Sequence, residues 1–262
     1  MQAQTSPRRR KALVTGASYG IGAAIALELA NDGFDVALSA TRVENLASVL
    51  AKIEAAGARA VPLSLNLCSH DSIKRATDAA IAAFDQLDLV VNNAAIPLRK
   101  AALDITPEDW NAVIETNITG AFFVCQRAAQ HFIARRVPGC IVNLASTHGV
   151  VGYAGVSAYG ISKAAVIHMT KTLAVEWAEH GIRVNAVAPG TVDTPSRAAT
   201  LADPQVRQGI LSRVPLHRFG TVEEVASAVR YLASPAAAYI TGQTLLLDGG
   251  LSACGARGVG PS

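Results

Sequence analysis

The sequence predicts one α/β domain on a mostly parallel, doubly wound sheet of about seven strands flanked by helices. Three observations carry this. Short apolar runs alternate with longer helical stretches along nearly the whole chain. The runs are almost continuously apolar, as strands buried on both faces are. The first run leads directly into a glycine-rich turn that opens a helix, Thr15-Gly16-Ala17-Ser18-Tyr19-Gly20-Ile21-Gly22.

Taken in order, the strand candidates are Ala12–Thr15, Val36–Ala40, Ala60–Leu65, Leu87–Val91, Cys140–Leu144, Arg183–Ala188 and Thr244–Leu247. The helical candidates are Ile21–Asn31, Val43–Ala56, Ser72–Phe84, Pro107–Arg135, Val156–His180 and Val222–Ala233. Thr106-Pro107-Glu108-Asp109 puts a cap, an N1 proline and two acids at one helix start. Thr221-x-x-Glu224 reads as a capping box. Thr191–Arg213 has no clear strand and is expected to form a substrate lid with one or two short helices. Residues 1–10 and 251–262 read as tails around a domain spanning 11–250.

The composition excludes several classes. With 262 residues, half of them apolar and 16% charged, the chain can bury a core and is not a disordered polyelectrolyte. No run approaches the ~18 apolar residues of a membrane span, and no apolar stretch follows the N-terminal arginines as in a signal peptide. The net charge is +3, and Arg8, Arg9, Arg10 and Lys11 account for it. They read as a solvated entry to the first strand, and no nucleic-acid partner is expected. Cys68, Cys125, Cys140 and Cys254 form no C-x-x-C and suit a reduced, cytoplasmic protein. The histidines form no metal motif.

The glycine turn carries chemistry. Glycines at a strand–helix junction let backbone N–H groups approach a pyrophosphate, and the helix N-terminus adds partial positive charge. The spacing here is G-x-x-x-G-x-G. Tyr159 and Lys163, four apart on a helix, share one face. A free tyrosine has a pKa of about 10, and a neighbouring ammonium lowers it. Tyr159 can then give a proton to a carbonyl oxygen or take one from an alcohol. Ser146 closes a strand at the edge where open α/β sheets bind ligands, so its hydroxyl can hold the same oxygen.

With Asn92-Asn93-Ala94-Ala95, Asn117 and Pro189-Gly190 added, the sequence resembles the short-chain dehydrogenase/reductase family, and is similar to 3-oxoacyl-carrier-protein reductases and their relatives. The resemblance runs from Lys11 to Gly250. It includes Arg218-x-Gly220-x-x-Glu223-Glu224-Val225-Ala226 and Tyr239-Ile240-Thr241-Gly242-Gln243 … Asp248-Gly249-Gly250. It implies a Rossmann-like fold and an NAD(P)-dependent oxidoreductase acting on a ketone or secondary alcohol. Ser146, Tyr159 and Lys163 would be catalytic, with Asn117 anchoring a water that relays protons from Lys163. Lys163 would also bond the nicotinamide ribose.

By the same resemblance, Gly16, Ser18, Tyr19, Gly20, Ile21 and Gly22 cradle the cofactor. Asn92, Asn93 and Ala94 lie beside it, and Pro189, Gly190, Val192 and Thr194 hold its carboxamide end. Asn66, followed by Leu67, stands where many relatives carry an adenine-binding aspartate. Ala95 replaces the family's common glycine, and Tyr19 stands where many NADP-using relatives have a basic residue.

The second strand ends at Ala40, followed by Thr41 and Arg42, with no carboxylate to select NAD. Thr41 can offer a hydroxyl and Arg42 a guanidinium to a 2′-phosphate. NADP(H) is therefore the favoured cofactor and NAD(H) the alternative. His148 and Tyr153 are expected at the substrate with Ser146 and Tyr159, and Pro97–Ala101 should help shape that end. His131, His168, His180, His217, Trp110 and Trp177 read as packing or surface residues.

The substrate stays open among a 3-oxoacyl thioester, a sugar or polyol, and a cyclic ketone. Rival readings are a non-catalytic sensor or scaffold, and a relative performing epimerisation or dehydration. Surplus apolar residues such as Phe122, Phe123, Val124 and Phe132, with the family's habit, predict a homotetramer.

Overall fold

The structure, a computed structural model, describes residues 8–195 and 201–254. Seven strands form one sheet in the order β3-β2-β1-β4-β5-β6-β7, and every pairing is parallel. The strands are β1 (Arg10–Val14), β2 (Phe34–Ala40), β3 (Ala60–Ser64), β4 (Leu89–Asn92), β5 (Gly139–Leu144), β6 (Ile182–Pro189) and β7 (Thr244–Leu247). The chain runs outward from β1 to β3, then crosses back to β4 on the other side of β1. This reversal opens a crevice at the carboxyl ends of β1 and β4, where such sheets bind ligands.

The helices are α1 (Gly20–Asn31), α2 (Ala47–Ala55), α3 (His70–Phe84), α4 (Pro107–Ile114), α5 (Ala121–Arg135), α6 (Ser157–Trp177), α7 (Pro204–Leu211) and α8 (Val222–Ala233). Successive strand residues point to opposite faces, and the core divides accordingly. Ala12 and Val14 of β1 join Ile25 and Leu29 of α1 and Val229 and Leu232 of α8 on one face. Leu13 joins Ile73 of α3 and Val124 and Phe132 of α5 on the other. Both expected helix starts form capping boxes, Thr106 with Asp109 and Thr221 with Glu224.

Three expectations need adjustment. Pro107–Arg135 is not one regular helix, because a π-helical stretch, Glu115–Gly120, separates α4 from α5. The wide turn carries Asn117 inward, and Gly120 abuts Leu67 so closely that a Cβ would lie 2.6 Å from its Cβ and its carbonyl oxygen. The segment Val43–Leu46 forms a 3-10 turn before α2. The basic entry is tied down rather than merely solvated. Asp35, on β2, accepts from Arg9 at 2.9 Å and from Lys11, and Arg10 pairs with Asp32 at 2.8 Å. Of the lid, residues 196–200 lie outside the described residues, as do the tail glycines Gly255, Gly258 and Gly260. The remainder holds α7, capped by the Asp203 side chain with Pro204 at N1. The base of the lid is closed by backbone bonds from Asp193 N to Gly220 O and from Gly220 N to Thr191 O, both 3.0 Å. Among the described residues, no helix is long and apolar enough to cross a membrane.

Candidate active site

The crevice is a cleft of about 810 Å³. At its centre, α1 begins without help from side chains. Tyr19 at its N-cap is extended and makes no side-chain cap bond, and no acid stands in the first turn. The leading N–H groups of α1 are thus available to an anion. The turn before them is stapled. The Thr15 hydroxyl accepts from Asn93 N and Ala94 N at 3.0 and 3.1 Å, and Asn93 Nδ2 donates to Thr15 O and Gly16 O at 3.0 and 2.8 Å. Gly22 packs against this staple, and a Cβ there would lie 2.3 Å from Gly16 O.

The sequence-predicted cofactor residues gather here with two exceptions. Gly16, Ser18, Tyr19, Gly20, Ile21 and Gly22 form the wall at α1. Thr41, Asn66 and Leu67 line the β2–β3 end, and Asn93 and Ala94 lie beyond β4. Pro189, Gly190, Val192 and Thr194 close the side after β6. Arg42 does not line the cleft; it is exposed at the N-cap of the 3-10 turn. Asn92 needs a second correction, because its side chain turns into the core. Nδ2 donates to Cys125 Sγ and Asn143 Oδ1, both at 3.0 Å, which makes it a brace between β4, β5 and α5. The Asn66 carbonyl oxygen accepts from Cys68 N at 3.0 Å, leaving its NH₂ group as the available donor.

The catalytic candidates converge on the other half of the cleft. Ser146 follows β5, and Tyr159 and Lys163 come from α6; all three line the cleft. They meet because the turn Thr147–Gly149 packs directly on the α6 backbone. A Cβ on Gly149 would lie 2.6 Å from the Lys163 carbonyl carbon. Lys163 is buried, and its Nζ donates to Leu144 O at 2.6 Å. Burial pulls its pKa down from 10.5 to about 8, so the ammonium persists at neutral pH. That Nζ stands 5.7 Å from the centre of the Tyr159 ring.

Ser146 Oγ accepts from His148 N at 3.2 Å and lies 3.1 Å from His148 Nδ1. The His148 ring packs against Tyr153 and Tyr159, with centroids 4.5 and 5.8 Å away. His148 and Tyr153 therefore stand beside the cleft wall at its Ser146 end.

Asn117 sits behind the cleft. Its Oδ1 accepts from Ile96 N at 2.8 Å, and its Nδ2 donates to Ile96 O at 3.0 Å and Ser162 Oγ at 3.1 Å. Ser162 in turn donates to Tyr159 O at 2.7 Å. The π-helical stretch thus braces the Tyr159–Lys163 turn of α6 against the loop after β4. Asn45 and Thr116, which the sequence reading did not single out, also line the cleft, as do Arg99, Leu201 and Ile210 from the two segments expected to shape its substrate end. Asn45 depends on where the 3-10 turn begins.

These residues fit a nicotinamide dinucleotide. The free helix start and the Gly22 approach suit its pyrophosphate, and among the described residues no carboxylate lines the cleft to oppose it. The family model described as Enoyl-(Acyl carrier protein) reductase matches residues 16–252. The 3beta-hydroxysteroid dehydrogenase 1 of Eggerthella lenta is 39% identical over 92% of this chain and 92% of its own length. The 3-oxoacyl-[acyl-carrier-protein] reductase FabG of Thermotoga maritima is 41% identical over 91% of this chain and 96% of its own. A variant of the actinorhodin polyketide ketoreductase, solved with NADPH, superposes with a TM-score of 0.88 at 36% identity, covering 93% of this chain and 97% of that one. The chain belongs to the short-chain dehydrogenase/reductase family of NAD(P)-dependent oxidoreductases.

Proposed function

We propose that Tyr159 is the acid/base of a reversible ketone–alcohol interconversion at the Ser146 end of the cleft. When bound, the nicotinamide supplies or accepts the hydride. In the reductive direction the Tyr159 hydroxyl gives its proton to the carbonyl oxygen. The buried Lys163 ammonium stabilises the resulting phenolate, and the Ser146 hydroxyl donates to the same oxygen. Oxidation reverses these transfers. Asn117 holds α6 in place through Ser162 and, in our reading, also anchors the water that reconnects Lys163 to solvent. Lys163 also binds the nicotinamide ribose.

The observation that carries this reading is the burial of Lys163 beside Tyr159 on the wall of the cleft that α1 opens on. A buried ammonium is costly, and a sensor or scaffold has no use for it. The test is a panel of ketones and alcohols assayed with NADPH and NADH. Tyr159→Phe should retain cofactor binding and lose nearly all turnover. Retention of more than about a tenth of kcat, or less than ~1.4 kcal/mol of barrier, would remove Tyr159 from the role.

We also propose NADP(H) preference, a cytoplasmic setting and a homotetramer. The four cysteines are free thiols, as a reducing compartment requires. Ile161 and Val175 on α6 and Leu245 and Leu246 on the edge strand β7 are exposed apolar residues suited to burial against further copies. The relatives act on a steroid, on 3-oxoacyl-[acyl-carrier-protein] and on a polyketide, by their names. That breadth supports a carbonyl–alcohol substrate without selecting one.

A further inference from the structure

We infer that the substrate carries an anionic group, carboxylate or phosphate, and that Arg99 holds it at the Ser146 end of the cleft. The inference rests on the hydride-transfer reading above and narrows its substrate class.

The cleft wall carries two charged side chains among the described residues, Lys163 and Arg99. Lys163 is buried and committed to Leu144 O. Among the described residues no carboxylate lines the cleft to balance Arg99. Its neighbour Lys100 is paired: Nζ donates to Asp109 at 2.6 Å, and the backbone N–H donates to Gly155 O at 2.9 Å. Among the described residues Arg99 has no such bond or ion pair. The loop backbone on either side of it is tied. Ile96 is pinned to Asn117 by two hydrogen bonds on one side, and Lys100 is pinned to Gly155 and Asp109 on the other. Arg99, exposed and without a hydrogen bond or ion pair among the described residues, thus stands between two fixed points of the loop backbone.

Its position separates it from the dinucleotide phosphates. The Gly155 contact places this loop near Tyr153, whose ring packs on His148, which bonds Ser146. The helix start of α1 serves the pyrophosphate, and Thr41 and Asn45 line the distant end after β2. A guanidinium fork matches a carboxylate or a phosphate with two parallel hydrogen bonds. A neutral ketone would leave Arg99 without a partner.

The test compares matched pairs on the tetramer or whichever assembly the full chain forms, loaded with NADPH. The pairs are 3-oxobutanoate with its ethyl ester, and dihydroxyacetone phosphate with dihydroxyacetone. Binding of all four is read by ligand-observed NMR, independently of turnover, and kcat and KM are measured where turnover occurs. Wild type should favour one anion over its neutral partner by about tenfold to a hundredfold. The pair that shows this distinguishes carboxylate from phosphate. Arg99→Gln should abolish the preference through KM or Kd, Arg99→Lys should restore part of it, and NADPH affinity should not change. Equal binding of both members of both pairs, or an Arg99→Gln defect confined to NADPH, overturns the inference. Anion binding through Arg99 with no turnover of any ketone would instead count against the catalytic reading and leave Arg99 its role. Turnover without anion preference would do the reverse.

Discussion

Ser146 Oγ and His148 share two contacts: the backbone N–H of His148 donates to Oγ at 3.2 Å, and Nδ1 lies 3.1 Å away. The histidine thus sets where the serine hydroxyl points. When Nδ1 carries the proton, Oγ accepts twice and its own hydrogen is free for the substrate oxygen. When Nδ1 is bare, it competes with the substrate for that hydrogen.

Ser146→Ala should therefore lower kcat by about 10²–10³ while leaving cofactor affinity intact, because one donor to the developing oxyanion is lost. His148→Phe keeps the backbone bond and the ring stack and removes both ring nitrogens, Nδ1 among them, so a fall of about threefold to tenfold is expected. Steady-state kinetics decide between them. A His148→Phe defect as large as that of Ser146→Ala would give the imidazole a direct part in the chemistry.

Lys163 gives a pH signature. In the proposed mechanism its charge stabilises the Tyr159 phenolate, and burial lowers its pKa to about 8. As pH rises through about 8 the ammonium is lost, and reductive kcat/KM of the wild type should fall with it. Lys163→Ala should lose this limb, raise the pH at which Tyr159 ionises, and weaken cofactor binding by removing the ribose contact. Stability moves the other way. The unfolded chain holds the Lys163 proton up to about 10.5, so between about 8 and 10.5 unfolding takes up a proton and this group's contribution to stability rises with pH. A flat kcat/KM from pH 7 to 9 with an unchanged cofactor Kd would remove both roles from Lys163.

What could be read in advance follows from how local each signal is. The strands are legible because burial on both faces leaves unbroken apolar runs. The turn at Gly16–Gly22 and the Tyr159–Lys163 pair are legible because their chemistry depends on spacing within one element. The brace from Ile96 through Asn117 to Ser162 is not, since it joins residues from three elements and requires a π-helical turn that no helix propensity announces. Asn92 and Asn93 stand side by side, yet alternation along the strand end sends one into the core and the other onto the glycine turn. Arg99 reads as an ordinary loop arginine until Lys100 is seen to be engaged and Arg99 is not.

The closeness of Gly22 to the loop predicts a cofactor-specific defect. Gly22→Ala places a methyl 2.3 Å from Gly16 O and 2.5 Å from Asn93 Nδ2. One contact is backbone and the other belongs to the staple, so neither retreats without moving the turn. Because Gly22 has an ordinary helical backbone rather than a positive φ, the fold should survive with a loss of about 1–3 kcal/mol. NADPH affinity should drop by at least about tenfold. Fluorescence titration of NADPH beside a urea denaturation curve separates the two effects, and unchanged NADPH affinity would mean that the pyrophosphate does not lie over this turn.

The proposed NADP(H) preference rests on the end of β2. Ala40 is its last residue, Thr41 and Asn45 line the cleft just beyond, and no carboxylate stands there to receive a ribose 2′-hydroxyl or repel a 2′-phosphate. The one acid of β2, Asp35, sits near the opposite end of the strand and is consumed by Arg9 and Lys11. Arg42 is exposed outside the cleft wall, so it can meet a 2′-phosphate only from the solvent side, in a partly screened contact. The missing acid should therefore matter more than the arginine. Wild type should prefer NADPH. Arg42→Ala should raise KM for NADPH by about threefold to tenfold, with less effect on NADH and a difference that shrinks at high salt. Ala40→Asp should invert the preference outright, through repulsion of the phosphate and a new bond to the ribose. Kinetics of all three proteins with both cofactors check this. A wild type that favours NADH, or an Ala40→Asp variant that still favours NADPH, would place cofactor selection somewhere other than the end of β2.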